Sequence, residues 1–178
     1  MEHPLSLFRF CPKCGSERFV EHNEKSKQCL ACGFTYYINP SAATAAFIVR
    51  EGEKGKELLA VRRAKEPARG TLDLPGGFSD LYETSEEGVR REVREETGLE
   101  VCEVEFLFSL PNQYLYSGFL VHTMDMFYLC RIGNTSRLCA MDDADDARWI
   151  PLQDLRPDDF GLTSIRLGVE KFLANFPI

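Results

Sequence analysis

The feature that most constrains this chain is a glutamate-rich segment, residues 76–99, which reads GGFSDLYETSEEGVRREVREETGL. The segment predicts a helix that begins at Thr84, because Thr84 and Glu87 fit a capping box, and that ends at Gly98, a common C-cap residue. Like charges three or four positions apart destabilise a helix by a few tenths of a kcal/mol each. A helix so rich in glutamate therefore needs a reason for its charge.

Three carboxylates leave this helix within an arc of about 100°: Glu92, Glu95 and Glu96. Gly88, one turn earlier, is predicted to leave space for whatever binds there. Arg90 and Arg94 point away, so we expect the three carboxylates to remain without a neutralising arginine. Carboxylate oxygens suit Mg²⁺ or Mn²⁺. The alternative is a solvated acidic helix face.

The residues around the helix favour a metal site over a solvated acidic face. Their spacing follows the pattern G-x5-E-x7-R-E-U-x-E-E-x-G-U, in which U is aliphatic, and it matches at every fixed position: Gly77, Glu83, Arg91, Glu92, Val93, Glu95, Glu96, Gly98 and Leu99. In this segment the chain resembles the Nudix hydrolases, which cleave a diphosphate that joins a nucleoside to another group. The resemblance implies an α+β fold, a Nudix α/β/α sandwich with a mixed sheet.

The resemblance also implies roles for single residues. Glu92, Glu95 and Glu96 would bind the catalytic Mg²⁺ or Mn²⁺ with help from the Gly76 carbonyl. Glu83 and Arg91 would form a supporting ion pair. The general base stays open among Glu92, Glu95 and acidic loop residues. Of the aspartates in "MDDADDARW", Asp146 is our candidate for an extra metal ligand, although such acidic loops are more often exposed to solvent.

Substrate contacts are expected on both sides of the helix in sequence. Arg62 and Arg63 are candidates for binding phosphate oxygens, and the alternative for each is an ordinary surface charge. Downstream, "SLPNQYLYSG" offers Tyr114 and Tyr116, either of which could stack on a base or pack in the core. This stretch stands where the NADH pyrophosphatase branch, which the chain resembles, carries the motif SQPWPFPxS. Because that motif is not present, the substrate stays open among NADH, ADP-ribose and related nucleotides.

Two cysteine pairs precede this domain. "CPKCG" and "CLACG" are separated by fourteen residues, a spacing that allows four thiolates to close a tetrahedral zinc site: Cys11, Cys14, Cys29 and Cys32. Four thiolates leave no open position for water, so the Zn²⁺ would be structural. We therefore expect a zinc ribbon over residues 5–39 and a Nudix domain over residues 41–178.

The strands and the last helix of the second domain are expected from hydrophobic patterning. Two strands, 43–50 and 57–64, form a predicted hairpin. Further strands are predicted at 101–110, 121–132 and 147–152. The apolar residues of the segment 164–176 recur at helical spacing, which predicts an amphipathic helix that packs on the sheet.

Composition limits the partners. The 178 residues carry a net charge of −7, which makes binding to a nucleic acid backbone unfavourable. We expect a small-molecule nucleotide substrate, no membrane span, a cytoplasmic location and a homodimer, which is common among ribbon-bearing relatives. The leading interpretation is a metal-dependent pyrophosphohydrolase. The alternatives are a non-catalytic nucleotide sensor and a zinc-ribbon adaptor for nucleic acid.

Overall fold

The computed structural model describes residues 2–53, 55–133, 138–139 and 144–175. Its first unit is a small antiparallel sheet of three strands in sequence order: β1 (Phe19–Asn23), β2 (Ser26–Cys29) and β3 (Thr35–Tyr37). Its core is minimal, with Cys11, Phe19 and Cys29 buried against the half-buried Phe34. So small an apolar cluster needs a further source of folding energy.

The described residues also form a larger sheet of six strands: β4 (Ser41–Gly52), β5 (Gly55–Arg63), β6 (Leu72–Asp73), β7 (Val101–Tyr116), β8 (Phe119–Ile132) and β9 (Ala144–Pro151). The strand order is β6-β5-β4-β8-β7, and β9 pairs with β5. β4 and β8 are parallel and the other pairs are antiparallel. The expected mixed sheet is confirmed.

Two helices cover the two faces of this sheet, α1 (Ser85–Thr97) and α2 (Thr163–Asn175). Alternate residues of β4 point to opposite faces. Ile48 packs with Val89 of α1 in one core cluster. Phe47 belongs to the other and stacks on Phe172 of α2, with ring centroids 4.1 Å apart. Two short 3-10 turns, Leu152–Asp154 and Pro157–Asp159, lead into α2. The sandwich is as expected.

The predicted helices and the predicted hairpin are present. Thr84 caps α1 through a complete capping box with Glu87, and Gly98 ends it with φ 69°. β4 and β5 pair antiparallel. Phe176, expected in the last helix, lies outside the described residues. The division into domains at residue 40 stays a prediction.

Among the predicted strands, β7 extends furthest beyond its predicted bounds. β7 continues past residue 110 to Tyr116, and a turn at Ser117 and Gly118, both with positive φ, leads directly into β8. The strand passes through Pro111 because β7 lies at the edge of the sheet, where proline is tolerated. The stretch "SLPNQYLYSG" is therefore the tip of the β7–β8 hairpin.

No helix in the described part of the chain is long and apolar enough to cross a membrane.

Candidate active site

The glycine loop before α1 (residues 75–79) lies along β4. The Thr44 N–H donates to the Gly77 carbonyl, and the Ala46 N–H donates to the Pro75 carbonyl, both at 2.8 Å. Gly76 is so close to β4 that a Cβ there would lie 2.1 Å from the Thr44 carbonyl oxygen. Because neighbouring carbonyls alternate in direction along an extended segment, that of Gly76 points away from β4. The loop can therefore offer this carbonyl to a ligand.

Helix α1 brings its carboxylates against this loop. The Gly76 N–H donates to Glu96 Oε2 at 3.1 Å, and Glu96 is 7% exposed. A Cβ on Gly77 would lie 2.6 Å from Glu92 Oε1, so glycine at this position makes room for that carboxylate. The side chain of Glu95 is more open, at 41% exposure. The three groups therefore range from buried to accessible.

Arg91 joins these carboxylates to the loop. Its Nε and Nη2 donate to the two oxygens of Glu83 at 2.9 and 3.0 Å, a two-pronged ion pair. Its Nη1 donates to Glu92 Oε1 and to Glu95 Oε2, each at 2.9 Å. Nη2 also donates to the Phe78 carbonyl at 3.0 Å. One guanidinium thus fixes the loop and three glutamates in a single network.

The expectation that no arginine neutralises the carboxylates is wrong. Arg90 does turn away and donates to the Val101 carbonyl. Arg91 does not, because its long side chain reaches back across the helix surface to Glu92 and Glu95. Helical projection locates the Cα of a residue and not the end of a long side chain, so it missed this contact.

The role expected for Gly88 also needs correction. A Cβ on Gly88 would lie 3.0 Å from Glu83 Oε2 and 3.6 Å from Ser79 Oγ. The missing side chain therefore makes room for the supporting ion pair and not for a bound ligand.

Burial and the arginine shift two pKa values in opposite directions. Burial raises the pKa of Glu92, although the adjacent Arg91 opposes that shift. Hydrogen bonds from Arg91 hold the pKa of Glu83 below its usual range. Glu83 is thus held ionised as an anchor, whereas the partly desolvated Glu92 gains from any cation bound beside it.

Carboxylate oxygens are suitable ligands for a hard divalent cation, but these carboxylates are not close enough together to form a complete coordination shell. Within the described residues, only the four cysteines bring three or more ligating atoms within 4.8 Å of one another. Arg91 lies between Glu92 and Glu95 and holds one oxygen of each. A wide set of oxygen donors suits Mg²⁺ or Mn²⁺, which keep several waters and complete their coordination with substrate phosphates.

A cleft of about 650 Å³ opens in front of the glutamates, within the range typical of ligand sites. Its lining includes Gly76, Arg91, Glu92, Glu95 and Glu96. On the other side, β7 supplies Tyr114 and Tyr116, and β5 supplies Arg63. Burial raises the pKa of Tyr114, and the neighbouring Asp125 charge adds to the effect. The cleft therefore combines an acidic wall with an aromatic one.

Arg62 does not line this cleft, and its Nη1 donates to the Gly70 carbonyl at 2.6 Å. Asp146 pairs with Arg62 across β5 and β9 and is not part of the lining either. Its role as a metal ligand stays a prediction. Asp142 and Asp143 lie outside the described residues. Arg63 lines the cleft, but its Nε donates to the Pro67 carbonyl at 2.7 Å.

Sequence reasoning missed two buried aspartates in the cleft, Asp73 and Asp125, which are 7% and 6% exposed. Arg63 forms an ion pair with Asp73, yet burial still raises the pKa of that carboxyl. The signal was a charged residue at an inward position of an apolar strand, as in "HTMDMFY" for Asp125. Such a residue is seldom buried without a reason.

The four ribbon cysteines converge on one point. Cys11 and Cys32 place their sulfurs 3.8 Å apart, and Cys14 and Cys29 place theirs 3.6 Å apart. Four sulfurs at about 2.3 Å from zinc in a tetrahedron are separated by about 3.8 Å. Each cysteine pair closes a tight turn at a glycine of positive φ, where the glycine N–H donates to the first cysteine's carbonyl. The cysteines could therefore form a zinc site.

Comparison with curated proteins finds relatives over nearly the whole chain. The NAD-capped RNA hydrolase NudC of Vibrio vulnificus is 29% identical over 175 residues, which cover 97% of this chain and 62% of the relative. The protein of the same name from Vibrio atlanticus is 30% identical over 158 residues, which cover 88% of this chain and 54% of the relative. The chain thus spans less than two thirds of these relatives.

Solved structures share the fold. A NUDIX hydrolase from Nitrosomonas europaea superposes with a TM-score of 0.72 at 22% identity, covering 94% of this chain and 92% of that one. The NUDIX domain of Shewanella oneidensis NrtR, complexed with ADP ribose, gives 0.65 at 19% identity, covering 99% of this chain and all of that one. The model of the NUDIX domain family matches residues 40–173. The chain therefore belongs to the NUDIX family.

Proposed function

We propose that this protein is a divalent-metal-dependent pyrophosphohydrolase that cleaves the diphosphate of a nucleoside diphosphate joined to another group. The observation that carries the proposal is the cleft, where Glu92, Glu95, Glu96 and the Gly76 loop form one wall and two tyrosines form the other. The wall of oxygen donors suits the metal and phosphates, and the aromatic wall suits a ring. NADH, ADP-ribose or a related nucleotide supplies both parts.

The residues of the first wall would divide the work. Glu92, Glu95 and Glu96, with the Gly76 carbonyl, would hold Mg²⁺ or Mn²⁺. When bound, the cation neutralises phosphate charge and lowers the pKa of a coordinated water. Arg91 would hold Glu92 and Glu95 in place from its anchor on Glu83. The exposed Glu95 can also move a proton to solvent, which makes it our first choice for the general base.

The second wall would select the substrate. Tyr114 and Tyr116 lie on the same face of β7, two residues apart, and both border the cleft. A base or nicotinamide ring stacked on either contributes about 1 kcal/mol beyond its buried area. Their place at the hairpin tip, where the NADH pyrophosphatase branch carries its motif, supports a similar role with different aromatic groups.

The curated relatives act on NAD-capped RNA according to their names, so an RNA-linked dinucleotide is a second candidate substrate. The net charge of −7 gives the chain little attraction for an RNA backbone. We therefore place the free dinucleotide first. Competition of NADH hydrolysis by uncapped RNA tests this order, because an RNA-binding enzyme is inhibited and the proposed one is not.

The decisive assay offers the protein NADH, NAD, ADP-ribose, diadenosine polyphosphates and nucleoside triphosphates, each with Mg²⁺ and with Mn²⁺. We expect metal-dependent release of a nucleoside monophosphate from one class of substrate. Chelation with EDTA should abolish it. Tight binding of a nucleotide without any turnover would instead favour the non-catalytic sensor, although the complete set of glutamates argues for catalysis.

We further propose that the ribbon cysteines bind a structural Zn²⁺. Cysteines that ligate zinc must be reduced, which favours a reducing compartment such as the cytoplasm. A homodimer is also proposed, from the resemblance to ribbon-bearing relatives. Light scattering coupled to size exclusion tests it directly, because a monomer would elute with the chain's mass of 20.3 kDa.

A further inference from the structure

Asp125 lies in the middle of β8, at the floor of the cleft. It pairs with Ala43 of β4 on one side and with Leu110 of β7 on the other. It is 6% exposed and still lines the cleft. Burying an ionisable group between apolar neighbours costs free energy unless hydrogen bonds compensate for the lost water. The sheet would be more stable with an apolar residue here, so the position calls for an explanation.

The described residues supply only part of that compensation. Ser164, fully buried in the first turn of α2, donates its hydroxyl to Asp125 Oδ2. An ionised carboxylate can accept about four hydrogen bonds. Within the described part of the chain, no other donor reaches Asp125, and no arginine or lysine forms an ion pair with it. Most of its acceptor capacity is therefore left for a group that enters the cleft.

The other buried aspartate shows that this fold can provide a carboxylate with a cation and a partner for each of its oxygens. Asp73 has a comparable exposure and borders the same cleft. It receives an ion pair from Arg63 and a hydrogen bond from the Leu74 N–H at 2.8 Å. Two carboxylates buried in one cleft thus differ in their partners, and only Asp125 lacks a cation among the described residues.

The neighbours of Asp125 are those expected around a nucleoside. Leu110, Asn112 and Tyr114 alternate along β7 and face the same side as Asp125, since Leu110 is its paired residue. Asn112 and Tyr114 also line the cleft. A ring can stack on the tyrosine while its polar edge meets the amide and the carboxylate. Phosphate oxygens are a poor match for this position, because the carboxylate repels them and no arginine or lysine of the described residues forms an ion pair with it to offset that charge.

We propose that Asp125 is a specificity-determining residue that accepts hydrogen bonds from two adjacent O–H or N–H donors on the nucleoside part of the substrate. A carboxylate has two parallel acceptors and no donor, so it matches a ribose cis-diol or the two N–H hydrogens of an exocyclic base amine. This inference rests on the proposed function, because it names the group that the same cleft recognises. The competing explanation is that Asp125 serves only to attach α2 through Ser164.

The test compares Asp125→Asn with Ser164→Ala on matched substrates. ADP-ribose is set against 2′-deoxy-ADP-ribose, which lacks a hydroxyl of the adenosine ribose, and NADH against its deamino analogue, which lacks the base amine. We expect Asp125→Asn to raise KM for the parent substrates roughly 10- to 100-fold, from the loss of a charge-assisted hydrogen bond, with a much smaller change in kcat. For wild-type protein, KM should rise by a similar factor when one of the two analogues replaces its parent substrate.

The decisive result is whether the effect of the analogue on KM depends on the side chain at position 125. For Asp125→Asn, KM should be the same for the parent substrate and for the analogue that wild-type protein binds poorly. Whether that analogue is the deoxyribose or the deamino compound shows whether Asp125 contacts the ribose or the base. Ser164→Ala should keep the wild-type discrimination, whatever its melting temperature. Full discrimination retained by Asp125→Asn overturns the inference. Should that variant fail to fold, Asp125→Glu replaces it, since moving the charge by one methylene must also change the discrimination.

The proposed function fails separately. Wild-type protein that neither cleaves the panel nor binds ADP-ribose in calorimetry would overturn both proposals. If wild-type protein cleaves these substrates and Asp125→Asn discriminates between parent and analogue as wild-type protein does, this inference alone is overturned. Binding without turnover leaves the inference open to the same test, with Kd in place of KM.

Discussion

The cysteine cluster of the ribbon and the glutamate cleft hold their candidate ligands in opposite ways. Four sulfurs lie within 4.8 Å of one another, already at tetrahedral spacing. The glutamates are spread around Arg91, which occupies two of their oxygens. A closed set of soft ligands fits a metal that stays, and an open set of hard ligands fits one that shares its coordination with substrate. Ligand spacing therefore separates a candidate structural site from a candidate catalytic one in this chain.

The largest effect should follow removal of one ribbon cysteine. Cys14→Ser or Cys29→Ser opens the tetrahedron, and apparent zinc affinities in small domains correspond to roughly 10–16 kcal/mol of folding free energy. We expect the bound zinc to be lost and amide exchange protection to collapse across β1–β3, while β4–β8 keep theirs. Mass spectrometry of exchange and metal analysis measure both. Cys102→Ser, an exposed cysteine outside the cluster, is the matched control.

Retention of exchange protection in β1–β3 without zinc would contradict a structural role for the metal. The ribbon would then fold on its apolar core alone, and the sulfur spacing would have no structural purpose.

The next effect should appear when a cleft carboxylate is neutralised. Glu92→Gln and Glu96→Gln keep the shape of the side chain but remove a charged ligand, so we expect turnover to fall by roughly 100-fold or more. The melting temperature should change little, because no core packing is lost. Glu86→Gln is the control, since that residue lies on the same helix and does not line the cleft.

Excess Mn²⁺ should partly restore the Glu92 variant if that residue acts through metal affinity. Wild-type turnover in both glutamine variants would instead reassign the helix to a solvated acidic face.

A smaller effect is expected from the ion pair that supports the cleft. Glu83→Gln weakens the hold on Arg91, which then leaves Glu92 and Glu95 less well placed. We expect turnover to fall about tenfold, in line with a charged hydrogen bond, and the melting temperature to fall by a few degrees. Arg91→Lys should resemble it, because lysine cannot bind both oxygens of Glu83 in the same way.

The double variant Glu83→Gln with Arg91→Lys shows whether the two residues act in one network or through independent contacts. An effect no larger than that of either single change supports one network. Fully additive losses would show that each residue acts through other partners.

The sequence allowed the prediction of those parts of the site that depend on local spacing. The capping box at Thr84, the turn from Gly76 and the cysteine pairs are each specified by neighbours in the chain. The helix itself fixes which carboxylates share a side. These features need no knowledge of the tertiary fold, and the structure has them where the spacing predicts them.

What escaped prediction depends on residues far apart in sequence. Asp125 reaches the cleft only because β8 lies between β4 and β7. The β4–β8 pairing joins residues 82 positions apart, such as Ala43 and Asp125 (125 − 43 = 82), and local patterns do not encode it. The reach of Arg91 depends on side-chain conformation, which helical projection ignores. Tyr116 faces the cleft because β7 extends past Pro111, and only the edge position of that strand explains the extension.

The smallest effect tests whether the two regions communicate. The ring of Phe8, in the ribbon, stacks on Tyr36 with centroids 5.9 Å apart and meets the edge of Phe119 at 5.5 Å. Phe119 pairs with Tyr116 at the hairpin tip. The ribbon therefore packs against the hairpin that carries the aromatic wall. Phe8→Ala should remove a contact worth roughly 0.5–1.5 kcal/mol.

We expect that loss to raise KM a few-fold and to leave kcat unchanged, since the glutamates are on the other wall. Leu7→Ala is the control, because Leu7 is 62% exposed. Kinetics with the preferred substrate measure both variants, and removal of zinc should move KM in the same direction as Phe8→Ala. An unchanged KM in both conditions would mean that the ribbon and the cleft are independent, and that the closed metal site contributes only to the stability of its own unit.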